Sequence, residues 1–145
     1  MIKIAHRGNT NGPSIHENQP LYLLQAIDRG YDVEVDVRYI SGHLWLGHDA
    51  AQYLLNDETL AKLLGNGWFH CKNLEALEFF AQRPWLNANY FWHESDQYTV
   101  TSQGYIWAYP EMPGGPNTVV LSIDSLPIMD LEVHGVCSDY LDSQY

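Results

Sequence analysis

Valines alternate strictly with polar residues over Asp32-Val33-Glu34-Val35-Asp36-Val37-Arg38, the clearest pattern in the chain. A period of two with β-branched residues on one face predicts a strand. Val33, Val35 and Val37 point one way, and Asp32, Glu34, Asp36 and Arg38 the other. Ile2 to His6 reads as an earlier strand with Ile2, Ile4 and His6 on one face. Trp68 to Lys72 reads as a later one, with His70 and Lys72 on one face and Phe69 and Cys71 on the other. Gly8 to Ser14 is a loop by its Gly, Asn and Pro content. A helix follows it, with Pro20 in the first turn, Leu23, Leu24 and Ile27 as its apolar stripe, Ala26 beside them, and Arg29-Gly30 at its end. Ser41-Gly42 turns the chain into Leu44-Trp45-Leu46, a hairpin arm that returns His48-Asp49 toward the end of the Asp32 strand. Asp57-Glu58 opens a short helix with Leu60, Leu63 and Leu64 on one side, closed by Gly65 and Gly67. Asn73 caps a third helix to about Gln82, with Leu74, Leu77 and either Phe79 or Phe80 facing inward.

After Pro84 the pattern changes. Residues 90–93, 98–101, 105–109, 118–121 and 133–137 are strand-like, and no amphipathic helix of ten residues lies between them. Residues 110–116, with three Pro and two Gly, form a loop, and 122–130 has room for at most one helical turn. The front half alternates strand and helix, so its strands are expected to be parallel, in a single α/β domain over residues 1–145.

Composition narrows the function. The formal charge of −11, with only seven Lys and Arg, disfavours nucleic acid and anionic membranes as partners. No apolar run approaches the roughly 20 residues of a membrane span. Cys71 and Cys137 offer neither a disulfide framework nor metal-type spacing. The chain opens directly into a strand, so we expect no leader and a cytoplasmic protein with free thiols.

Three strand ends carry polar groups that can converge: His6-Arg7, Glu34 with Asp36, and His70 with Lys72. Glu34 and Asp36 lie about 6–7 Å apart along their strand. They are either a solvated acidic face or a cation site. Two carboxylates for a hard cation, basic groups for phosphate oxygens and histidines for proton transfer suit phosphoryl chemistry.

The stretch Ile4-Ala5-His6-Arg7-Gly8, then Glu17-Asn18, then Val33 to Val37, then His48-Asp49 resembles the glycerophosphodiester phosphodiesterases in order and spacing. The set also resembles the related sphingomyelinase D-type phospholipases. Gly135 to Tyr140 is similar to the strand that closes the barrel in that family, with Leu141 in place of its proline. The resemblance implies a reduced TIM-type (β/α) barrel, the PLC-like phosphodiesterase fold, that hydrolyses a small phosphodiester with bound Mg²⁺ or Ca²⁺. It makes His6 and His48 the general acid and base, without saying which is which. Glu34 and Asp36 become metal ligands, Arg7 and Lys72 phosphate-contacting groups, and Glu17 part of the site wall. Two departures stand out. The family's third carboxylate is replaced by His70, which either ligates metal itself, favouring Mn²⁺ or Zn²⁺, or leaves that place to Glu94 or Glu111, or to no ligand at all. The chain is also too short after residue 84 for helices to cover its later strands, so we expect them to be missing in the C-terminal half. Uncovered faces then invite a homodimer, with Trp85, Trp92 and the tyrosines at its interface or simply in the core.

Other residues carry paired readings. Trp107 either lines the site or packs in the core. His93, beside Glu94, is a site residue or a polar strand end. Asp49 orients His48 or caps a turn. His16, His43 and His134 read as surface residues, and Cys71 as a small hydrophobe under a helix. The alternatives to an enzyme are a phosphate- or metal-binding descendant and an interaction scaffold. A matched pair of histidines is what pure binding does not need.

Overall fold

A computed structural model describes residues 1–123 and 132–142. In chain order its elements are β1 (Ile2–His6), α1 (Pro20–Asp28), β2 (Asp32–Ile40), β3 (His43–Leu46), β4 (Tyr53–Leu55), α2 (Asp57–Leu63), β5 (Gly67–Cys71), α3 (Leu74–Ala81), β6 (Asn89–Phe91), β7 (Tyr98–Val100), β8 (Ile106–Ala108), β9 (Thr118–Leu121) and β10 (Gly135–Ser138), with a 3-10 turn at Pro84–Leu86. Parallel pairing runs β6-β5-β2-β1-β10-β9-β8. The hairpin β3-β4 attaches antiparallel to the far half of β2, and β7 to β8. No strand ladder joins β6 to β8 among the described residues, so the sheet is a curled, partial barrel.

Alternation along the strands separates two apolar layers. Ile4, Trp68, Phe91, Trp107, Val119 and Cys137, from six different strands, meet in one cluster, which is possible only on the concave side of the curl. Val33, Val35, Val37, Phe69 and Cys71 face the other way, against Leu23 and Ala26 of α1, Leu60 and Leu63 of α2, and Phe80 of α3. Glu34, Asp36 and His70 sit out of phase with that outer layer and so point to the concave side. The three helices all precede residue 84, and none follows among the described residues, as the strand-rich back half suggests. None is long and apolar enough to cross a membrane.

Local expectations differ from the structure in a few places. Asn73 does cap α3, its side chain accepting from Ala76 N at 3.0 Å. That cap makes Leu74 the first helical residue, on the far side from Ala76 and Phe80, and it is exposed rather than inward. Trp85 is 75 % exposed and Trp92 38 %, so neither is core. His134 is half-buried, stacked on Tyr105 at 4.2 Å, rather than on the surface. His16 and His43 are exposed as expected. The 122–130 expectation falls mostly outside the described residues.

Gly47 fixes the exit from the hairpin arm. Its φ is 151°, and a Cβ there would lie 1.9 Å from the Ala50 carbonyl oxygen. Gly47→Ala is therefore expected to lower stability by about 2–3 kcal/mol, read from the urea midpoint at unchanged m-value.

Candidate active site

The parallel registers set His6 beside Glu34 and Asp36 beside His70, bringing the ends of β1, β2 and β5 together. Beyond β1 the chain reverses at once. Arg7 and Gly8 have φ of 56° and 88°, and Asn9 N donates to the His6 carbonyl at 2.9 Å. Positive φ at both central positions marks a tight primed turn. A Cβ on Gly8 would also lie 2.9 Å from the Tyr22 ring. The turn holds Arg7 over the two acids. Its backbone N–H donates to Glu34 Oε1 at 3.3 Å, Nη1 donates to Glu17 Oε1 at 3.2 Å, and Nε lies 3.3 Å from Asp36 Oδ2.

Asn18, at φ 65°, completes the clamp. Its backbone N–H donates to the Arg7 carbonyl at 3.0 Å. Its side chain donates to Asp36 Oδ2 at 2.9 Å and accepts from Asp36 N at 3.0 Å. The Glu-Asn pair thus divides its labour: Glu17 holds the arginine and Asn18 holds the aspartate.

The other oxygen of Asp36, Oδ1, is buried without a hydrogen-bond partner, 3.4 Å from His70 Nδ1. His70 Nδ1 is 3.3 Å from Glu34 Oε2. His70 Nε2 lies 2.8 Å from the His93 carbonyl oxygen. A carbonyl only accepts, so Nε2 carries a proton, and Nδ1 is the nitrogen turned toward the two carboxylates. The ring is stacked on Phe91 at 5.0 Å, and His93 Nε2 is itself tied to the Asp96 carbonyl at 2.6 Å. Glu34, Asp36 and His70 thereby offer ligand atoms all within 4.8 Å of one another. Adjacent ligands held about 2.1–2.3 Å from one ion stand roughly 3.0–3.3 Å apart, so these spacings fit a shared divalent cation. His93 enters the site through its backbone. Glu94 and Glu111 are exposed and take no part in the cluster, whose third member is His70.

The electrostatics agree with a cation site. Burial pushes the Glu34 carboxyl up, but its hydrogen bond with His70 and the nearby charges of His6, His70 and Arg7 outweigh that and hold it at about 2. Burial and the charge of Glu34 raise Asp36 above the usual carboxylate range. Two buried carboxylates so close favour positive charge beside them.

His6 Nδ1 is 2.9 Å from Asp139 Oδ1, which also accepts from Asn9 Nδ2 at 2.9 Å. Burial lowers the His6 imidazole, but Asp139 and Glu34 more than offset this, leaving it above 6.5. A group whose pKa is raised on folding adds stability below its unfolded value and loses that contribution as pH rises through its folded value. In EDTA, the stability of the protein is therefore expected to fall as pH rises from 6.5 through the folded pKa of His6. Chemical denaturation of His6→Asn should lack that component.

His48 lies at the rim. Its Nδ1 is 2.7 Å from Asp49 Oδ1, and its carbonyl accepts from Arg38 Nη2 at 2.6 Å. The Asp49 side chain that makes this contact is exposed to solvent. His48 lines a pocket of about 250 Å³ with Arg7, Glu17, Asn18 and Asp49. Lys72 follows β5, its backbone N–H donating to the Val37 carbonyl at 2.9 Å, and its charge reaches Asp49 on the same rim. Trp107 is not at the site surface. It is 2 % exposed, packed 4.6 Å from Phe91 in the concave cluster beneath His70. Asn18 and Asp139 escape a reading of isolated residue types. The asparagine's tolerance of positive φ and the Ser138-Asp139-Tyr140 string were the available clues.

No match to this chain was found among protein-family models, curated proteins or solved structures.

Proposed function

We propose that this chain is a metal-dependent phosphodiesterase on a reduced TIM-type barrel, acting on a glycerophosphodiester-type substrate. The observation that carries the reading is the Glu34, Asp36 and His70 cluster, with Asp36 Oδ1 buried and unpartnered and Arg7 beside it. Those three residues would hold the cation, and the histidine nitrogen favours Mn²⁺ or Zn²⁺ over Ca²⁺. A divalent ion there supplies positive charge against the phosphoryl oxygens.

The chain's own residues do the rest. Arg7, kept in place by Glu17, and Lys72 bind the phosphate. His48, turned by Asp49, takes the proton of the attacking water as the oxygen bonds to phosphorus. His6, kept protonated by Asp139, gives its proton to the leaving alkoxide as the opposite P–O bond breaks. The raised pKa of His6 favours it as the acid.

Hydrolysis of bis(p-nitrophenyl) phosphate tests the reading. Activity should disappear in EDTA and return with Mn²⁺. Undiminished turnover in EDTA, or none under any divalent ion, would overturn it.

A further inference from the structure

A second pocket, of about 240 Å³, lies at the other end of the same strands, where Ile2, Asp32, Gly67 and Asn89 begin β1, β2, β5 and β6. Its wall is polar and aromatic. Both oxygens of Asp32 are already engaged, Oδ1 by Asn66 Nδ2 and Oδ2 by Trp68 Nε1, each at 3.0 Å. Tyr105 and His134 stack at 4.2 Å, and Trp68 leans on Tyr105 at 5.3 Å.

Two atoms on this wall have no partner. Asn89 is only 6 % exposed, and its Oδ1 makes no hydrogen bond. His134 Nε2 is likewise buried and unpaired. A buried polar atom left unsatisfied destabilises a fold, and two on one wall call for a ligand that supplies hydrogen bonds. The chemistry of the wall narrows that ligand. No lysine or arginine lines the pocket, so the N-terminal ammonium, which acts on His134, is the countercharge an anion would meet among the described residues. A cation finds a single carboxylate, Asp32, each of whose oxygens already accepts one hydrogen bond. Burial holds His134 below the usual imidazole range, so its ring is neutral. A hydroxyl group both donates and accepts, which suits an amide oxygen and a neutral imidazole together. The volume lies just under the range for drug-sized ligands, about 300–1,000 Å³.

We propose that this pocket binds a small uncharged polyhydroxyl compound, between glycerol and a monosaccharide in size, independently of the site at Arg7. The test is an amide and indole NMR titration of the full chain with glycerol, myo-inositol and D-glucose, and separately with inorganic phosphate. At least one polyol should shift the Trp68 indole N–H and the Asn89 side-chain amide saturably, while phosphate leaves them in place. Asn89→Leu should weaken that binding by about tenfold or more while the melting temperature holds or rises, because an unpaired oxygen is replaced by an apolar group. Gln103→Ala, at the exposed rim, tests the same pocket without touching its buried wall and should weaken binding by about two- to threefold. The proposal is overturned if no polyol gives a saturable shift, if phosphate moves the same resonances as strongly, or if neither variant alters binding. A fall in the melting temperature of Asn89→Leu with no polyol binding would mean that ordered water satisfies the two atoms, which also overturns it. The titration reads binding at the strand starts, so its outcome is separate from that of the hydrolysis assay.

Discussion

Asp36→Asn is expected to weaken Mn²⁺ binding by about a hundredfold or more while making the metal-free protein more stable. The first effect follows from Asp36 Oδ1, the buried oxygen with no hydrogen-bond partner, 3.4 Å from His70 Nδ1. Asparagine keeps the shape and the contact with Asn18 but loses the charge that a hard cation requires; even losing an outer-shell partner typically costs 10–100-fold. The second effect follows from Asp36 being raised above the ordinary carboxylate range by burial and by Glu34. In the absence of metal its charge is a liability, and Arg7 keeps Glu17 and Glu34 as partners without it. Removing that charge should raise apo stability at neutral pH. Calorimetric titration and urea denaturation in EDTA measure the two. A variant that binds Mn²⁺ normally would remove Asp36 from the ligand set, and one that is destabilised without metal would show that Asp36 serves structure.

His6→Ala should lower kcat/KM by about 10²–10⁴-fold, the span usual for loss of one general acid, with Mn²⁺ affinity unchanged. Asp139→Asn separates positioning from chemistry. It keeps an oxygen near His6 Nδ1 but removes the charge that raises the imidazole. The variant should lose kcat more than KM, and the alkaline limb of its pH–rate profile should move to lower pH. An unmoved limb would leave Asp139 as a structural partner only.

Much of the front half could be read from residues because each element satisfies a local rule. Valine alternation gave β2, and because Glu34 and Asp36 fall out of phase with Val33, Val35 and Val37, it also gave their common face. Asn73 announced α3 by its cap. What escaped were features set by tertiary packing. β4 spans only Tyr53–Leu55 and exists because β3 offers it an edge. Trp107 could be read as part of a ligand wall, and only the curl of the sheet encloses it, against Phe91, in the interior. His134 looks like a surface histidine until Tyr105 stacks on it. At the site, the residue types were legible but the tautomer of His70 was not. It depends on the His93 carbonyl, delivered from more than twenty residues downstream. Asp139 likewise reaches His6 across the length of the chain.

Anomalous scattering from crystals soaked in Mn²⁺ tests the metal centre most directly. The account predicts one strong peak bonded to Glu34 Oε2, Asp36 Oδ1 and His70 Nδ1, with His70 Nε2 still donating to the His93 carbonyl. A map with no peak among these three atoms, or a peak ligated elsewhere, would contradict it.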